Sequence, residues 1–135
     1  MKYLLDTNIC IYIIKQKPPQ VLKKLQKCRP EDVALSTVTL AELHYGVEKS
    51  QYQEKNRKAL DLFTSSFDIL PFEDKAAVCF GKIRASLESQ GMVIGPFDMM
   101  IAAHALSLNL ILVTNNTKEF SRIERLKIQN WADSK

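Results

Sequence analysis

Cysteine is scarce in this chain and poorly placed for structural work. Cys10, Cys28 and Cys79 are odd in number and show no C-x-x-C spacing. That argues against a disulfide framework and a structural zinc site, and it suits a reducing cytoplasm. Histidine is scarcer still: His44 and His104 fall on different expected helices, with no paired His or Cys at ligand spacing. A zinc hydrolase is thereby disfavoured. His104, inside the apolar stretch IAAHAL, reads as a hydrogen-bonded core or boundary histidine, and neither histidine reads as a general base. The four glycines build no phosphate-binding loop and no Gly-x-Ser-x-Gly elbow, and no Ser-His-Asp order is present. No apolar run reaches the length of a membrane span, so no membrane association is expected. Asp6 breaks the apolar N-terminus early and no small-residue cleavage site follows, so this segment is not read as a signal peptide. Repeats and low-complexity tracts are missing as well.

What is there is an ordinary globular composition, 46% hydrophobic and 25% charged. A chain of 135 residues of that make-up is expected to form one domain, residues 1–135, with a real core. The net charge of +4 is mild, but its distribution is uneven. Between Thr7 and Pro30 stand Lys15, Lys17, Lys23, Lys24, Lys27 and Arg29 with no anion, and Lys118, Arg122, Arg125 and Lys127 form a second group. Either group alone reads as a solvated helix face; two of them make a polyanion a reasonable partner.

The order of elements comes from apolar patterning and its punctuation. Lys2–Asp6, Val33–Ser36, Asp68–Leu70, Leu110–Thr114 and an edge segment Ile128–Asn130 read as strands. Between them, helices are expected from Thr7, as cap, to about Gln16, over Pro19–Cys28, and from about Thr39 to Ser50. Further helices are expected over Glu54–Ser65 with Leu60, Leu62 and Phe63 as apolar positions, over Glu73–Gln90 stopped by Gly91, and from Gly95-Pro96 to about Ser107. Uniformly apolar strands alternating with helices indicate an α/β fold with a mainly parallel sheet covered on both faces. In such a fold the working site lies beyond the carboxyl ends of the strands, where Asp6 and Thr114–Asn116 fall.

Three isolated acids are the most informative feature. Asp6 is the only charged residue from Tyr3 to Ile14, Glu42 the only one from Val33 to Val47, and Asp98 the only one from Ser89 to Thr117, with histidine counted neutral. Each has an ordinary explanation singly: a helper at a helix start, a surface Glu, an anion favoured by a helix dipole. Together they are three lone carboxylates in three strongly apolar windows, without a basic partner nearby in sequence, and burying them unpaired is costly. One shared divalent cation accounts for all three, and oxygen donors select Mg²⁺ or Mn²⁺ over zinc.

The stretches carrying these acids, LLDTN, TLAELHYG and IGPFDMMIAAHA, followed by LILVTNNTKEF, resemble the PIN-domain nucleases in order and spacing, most of all the VapC toxins. The resemblance runs from Tyr3 to Phe120. It implies a three-layer α/β/α sandwich with a mainly parallel sheet, Mg²⁺ or Mn²⁺ dependence, and endoribonuclease activity leaving 5′-phosphate and 3′-hydroxyl ends. It further implies a toxin that cuts RNA, tRNA among the possible substrates, and so inhibits translation and growth. A cognate VapB-like antitoxin, a homodimer as basic unit and a higher assembly with the antitoxin follow from the same resemblance. Asp6, Glu42 and Asp98 fall on the family's three acidic positions, Asp6 and Asp98 as metal ligands. The family's fourth acid has no direct counterpart after the fourth strand, where Asn115-Asn116 stand. Either Glu119 supplies that carboxylate through a loop, or Asn116 supplies a neutral oxygen or a contact to the substrate phosphate. Thr7, Asn8 and Thr114 would orient ligands or water. A haloacid-dehalogenase-like phosphatase would need a second Asp where Asn8 stands, and a non-catalytic RNA- or antitoxin-binding module would not need the acidic trio.

Overall fold

In the computed structural model residues 1–133 are described, so the last two residues of the expected 1–135 domain lie outside the described residues. Five short strands, β1 (Tyr3–Leu5), β2 (Val33–Ser36), β3 (Asp68–Leu70), β4 (Ile111–Val113) and β5 (Ile128–Gln129), form one sheet in the order β3-β2-β1-β4-β5. Every pairing is parallel; Leu4 stands opposite Ala34 of β2 and Leu112 of β4.

The period-two alternation of the strands explains the layers. Leu4, Ala34 and Leu112 turn to one face, where Ile83 and Leu87 of α5 (Asp74–Ser89) and Met99 and Ile101 of α6 (Pro96–Ser107) cover them. Leu5, Leu35 and Val113 turn to the other, against Ile9 and Ile13 of α1 (Thr7–Lys15), Val21 of α2 (Pro19–Gln26) and Leu60 of α4 (Gln53–Thr64). The helix α3 (Thr37–Glu48) serves both, with Val38 in the first cluster and Leu43 and Val47 in the second. The result is the expected α/β/α sandwich. Truncating a fully buried strand residue such as Leu112 would cost about 2–5 kcal/mol through the cavity left behind.

Several boundaries differ from the sequence reading. Asp6, not Thr7, caps α1: its backbone is extended and its carboxylate accepts from the Ile9 amide. A carboxylate competes well with a hydroxyl for this place, which frees Thr7 for another partner. The helix α3 starts at Thr37 and not near Thr39, because Ser36 Oγ accepts from Val38 N at 3.0 Å and caps it. Leu62, expected among the apolar positions of α4, is 75% exposed. A one-turn helix α7 (Thr117–Phe120) and a 3-10 turn at Pro30–Asp32 were not anticipated; segments this short leave no periodic signature. The stop at Gly91 stands: its φ of +66° is a left-handed conformation that any Cβ would strain. No helix among the described residues is long and apolar enough to cross a membrane.

Candidate active site

The chain lays β2 and β3 on one side of β1, then crosses to the other side for β4 and β5. The gap between the carboxyl ends of β1 and β4 is therefore the topological switch point, where open α/β sheets bind ligands. Asp6 follows β1 and Thr114 follows β4, and Asp6 N donates to Val113 O across this gap at 3.0 Å. The Asp6 carboxylate takes the Ile9 amide at 2.9 Å and also the Thr114 hydroxyl. Thr114 is fully buried, and its Oγ1 in turn accepts from Asn116 N at 2.9 Å. One carboxylate is thus fixed by a helix start and by the strand next door.

Three other elements bring the remaining acids. Glu42, half-buried on α3, accepts from Thr7 Oγ1 at 2.6 Å, so the first turn of α1 orients it. Asp98, half-buried, stands in the first turn of α6, which Pro96 opens. Glu119, half-buried, stands on the unanticipated α7. Asp6 feels the charges of Asp98 and Glu42, while Asp98 feels those of Glu42 and Glu119. All four expected acids are therefore in electrostatic reach of one another in a chain, with Glu119 on the Asp98 side.

The electrostatics are those of an anionic site without an internal counter-ion among the described residues. Asp6 is 4% exposed, and burial pushes its carboxyl from 3.8 to about 6. The Thr114 hydroxyl and the Ile9 amide pull it back, and the negative charges of Asp98 and Glu42 add to the rise. Asp98 is also raised, by burial first and then by Glu42 and Glu119. Burial and the Asp6 charge raise the Cys10 thiol far out of the reactive range, so Cys10 is an inert wall. Among the described residues the ion pairs between side chains lie elsewhere, at Arg29–Asp32, Arg29–Glu31, Arg57–Glu48 and Arg84–Glu88. No three His, Cys, Asp or Glu side chains among the described residues are drawn into a ready-made metal cage; Asp6 and Glu42 rest on protein donors instead. The donor set, carboxylates plus hydroxyls at one buried rim, fits a hard divalent cation.

Asn8 is exposed on α1, and Asn116 stands before α7 with its amide, not its side chain, engaged. The sequence reading did not single out Asn115, whose Nδ2 donates to Tyr12 Oη at 3.2 Å and whose Oδ1 accepts from Asn130 at 3.1 Å. Long-range amide pairing of this kind leaves no local signal. Nor was the Thr7–Glu42 bond legible, spanning 35 positions as it does. Of the basic residues, Arg29 is engaged by Asp32 at 3.1 Å, whereas Lys15 lines a groove of about 320 Å³. That groove runs between α1, α3 and α4 past Ile11, Ile14, Leu43 and Leu60 to Glu42. Leu22 of α2 packs against the core and is not among the groove's lining residues.

A PIN-domain family model matches residues 3–126. The tRNA(fMet)-specific endonuclease VapC of Shigella flexneri is 47% identical over 132 residues, covering 98% of this chain and 99% of that protein. Ribonuclease VapC2 of Rickettsia felis is 44% identical, covering 97% and 98%. Among solved structures, the Rickettsia felis VapBC2 complex bound to a DNA fragment from its promoter contains a chain that superposes with a TM-score of 0.88 at 42% identity, covering 97% of this chain and 99% of that one. With the parallel sheet, the acids at its switch point and full-length similarity agreeing, the chain belongs to the PIN-domain family, and within it to the VapC ribonucleases.

Proposed function

We propose that the chain is a Mg²⁺- or Mn²⁺-dependent endoribonuclease, acting in the cytoplasm as the toxin of a toxin–antitoxin pair. The observation that carries this reading is the set of buried Asp6 and half-buried Glu42, Asp98 and Glu119 at the switch point, electrostatically coupled in a chain and without a protein cation among the described residues. Divalent-metal dependence is general among PIN-domain ribonucleases. Asp6 and Asp98 would hold the ion, with Glu42 and Glu119 completing the anionic set. When bound, the ion supplies Lewis acidity for a water and for the phosphodiester under attack. The chain's own residues do the positioning. Thr114 and the Ile9 amide aim Asp6, Thr7 aims Glu42, and Asn8 and Asn116 stand at the rim where a substrate phosphate would lie. Exposed cations such as Lys15 and Lys118 would take the RNA backbone by phosphate contacts, which position without reading sequence.

The Shigella relative is named for cleavage of initiator tRNA, so structured RNA, tRNA first, is the substrate class to test. The solved Rickettsia relative is a VapBC complex, so a VapB-like antitoxin is the proposed partner, on a homodimeric toxin that assembles further with it. A basic antitoxin side chain would find the acid cluster attractive in place of the ion. The groove beside Glu42 would seat the segment that delivers it. The test is cleavage of tRNA with and without Mn²⁺, beside Asp6→Asn, and growth with and without the adjacent gene co-expressed. Metal-independent cleavage, or full activity in Asp6→Asn, refutes the assignment of the site.

A further inference from the structure

The helices α3 and α6 carry Glu42 and Asp98, and a second pair of residues joins the same two helices. His104 of α6 places Nδ1 2.8 Å from Oγ of Ser36, the residue that caps α3. On each element the two partners are six positions apart, 36 to 42 and 98 to 104, which is about 9 Å of helical rise. The pairs run in opposite directions, so α6 lies antiparallel to α3 with a hydrogen bond at one end and electrostatically coupled carboxylates at the other.

The ring is held on several sides. Ser36 Oγ already accepts from Val38 N, which leaves its proton for Nδ1. The backbone carbonyl of Pro71 also lies near the ring and favours its protonated form, against the burial that disfavours it. Phe72 meets the ring edge-on, centroids 5.6 Å apart, and its amide donates to Thr37 Oγ1 at 3.2 Å. One side chain therefore ties the start of α3, the later part of α6 and the β3–α5 connection together. At 2% exposure it cannot meet RNA, so any effect on catalysis must act through the residues it places.

We propose that His104 is a positioning residue for the acidic site: by bonding Ser36 and packing edge-on against Phe72 it sets the register of α6 on α3, and hence the separation of Asp98 from Glu42. The inference rests on the metal-dependent nuclease reading of that site. A shift of about 1 Å at a reacting centre, caused from a distance, can cost about a hundredfold in rate. A histidine that only filled the core would affect stability and leave the folded protein's kcat alone.

The test uses the full chain and three variants. His104→Leu keeps bulk and loses the bond to Ser36, His104→Asn keeps an amide near the Nδ1 position, and Ser36→Gly removes the hydroxyl at little cost to the cap. Mn²⁺ alone is titrated by electron paramagnetic resonance, without RNA, and kcat and KM are measured on total tRNA below the melting temperature of each variant. His104→Leu is expected to weaken Mn²⁺ binding and lower kcat by about ten- to a hundredfold with KM little changed, and His104→Asn to recover most of it. Ser36→Gly should cost activity in the wild type and add little to His104→Leu. A folded His104→Leu with wild-type Mn²⁺ affinity and kcat overturns the proposal, as do losses for His104→Leu and Ser36→Gly that simply multiply. Should His104→Leu not fold, Ser36→Gly and His104→Asn decide alone: wild-type Mn²⁺ affinity in Ser36→Gly refutes the role. A wild-type chain that cleaves no RNA removes the nuclease reading, while the Mn²⁺ series still reads the positioning.

Discussion

The Thr7 hydroxyl donates to Glu42 Oε1 at 2.6 Å, joining the first turn of α1 to the middle of α3. Thr7 adjoins Asp6, so the residue next to one acid steers another. A charge-assisted bond of this kind stabilises by about 1.5–3 kcal/mol where it is partly buried. Thr7→Val should leave the fold intact and lower kcat by about tenfold, by letting Glu42 turn outward. Thr7→Ser, which keeps the hydroxyl, should stay close to wild type. Equal activities for Val and Ser would show that this bond does not matter for the chemistry.

Asp6 makes the metal-free fold pH-dependent. Its carboxyl titrates at about 6 instead of 3.8, so the folded chain holds that proton more tightly than the unfolded one. The stability tied to this proton is fully present below about pH 4 and is lost as pH rises through 6, by roughly 3 kcal/mol. Asp6→Asn carries no charge and still offers an oxygen to the Ile9 amide. Metal-free Asp6→Asn should therefore melt above wild type at pH 7.5, with the difference closing near pH 4. A lower melting temperature at pH 7.5 would mean that the carboxylate is stabilising after all. Cleavage should be lost in the same variant.

The same proton competes with the cation. Cleavage at low Mn²⁺ should show an acidic limb near pH 6, the pKa of the free site. Raising Mn²⁺ should move that limb to lower pH, because the ion holds Asp6 ionised. Rate profiles at two metal concentrations check this, and a limb that stays put rules out Asp6 as the group responsible.

The parts of this site that were readable from the sequence were those that offend local rules. A lone carboxylate in YLLDTNICIYII or GPFDMMIAAHAL has no core role, so Asp6 and Asp98 stand out before any fold is known. The strands Val33–Ser36 and Asp68–Leu70 and the helix Pro96–Ser107 are readable for a similar reason, being bounded by strong punctuation. What escaped is set by pairing across distance. The Ser36–His104 bond spans 68 positions and Tyr12–Asn115 spans 103, and neither partner carries a mark of the other. The cap moved from Thr7 to Asp6 because both residues qualify locally, and only the presence of Glu42 decides which one caps.

Glu119 and Asn116 compete for the fourth position, and they differ in which acid each one influences. Glu119 acts on Asp98, whereas the Asn116 amide supports Thr114 and through it Asp6. Glu119→Gln should lower Mn²⁺ affinity or rate several-fold, less than Asp98→Asn, which should abolish cleavage. Asn116→Ala retains its backbone amide and should be milder than Glu119→Gln. A crippled Asn116→Ala beside a silent Glu119→Gln would place the fourth position on the Asn116 side chain.

The groove between α1, α3 and α4 lets binding and cleavage be separated. Ala59 is exposed on α4 and lines that groove, away from Asp6 and Asp98. A large side chain there would fill the α4 side of the groove, whose lining includes Glu42 but not Asp6, Asp98 or Glu119. Ala59→Trp should therefore cleave RNA at close to the wild-type rate when alone. Its inhibition by the co-expressed antitoxin should weaken by at least about tenfold, a loss near 1.4 kcal/mol. In a bacterial host the variant should arrest growth even when the antitoxin is present, while the wild type is held in check. Measuring antitoxin affinity beside the rate closes the argument: unchanged affinity with an intact fold would move the docking surface elsewhere, and lost cleavage in the free variant would tie the groove to RNA instead.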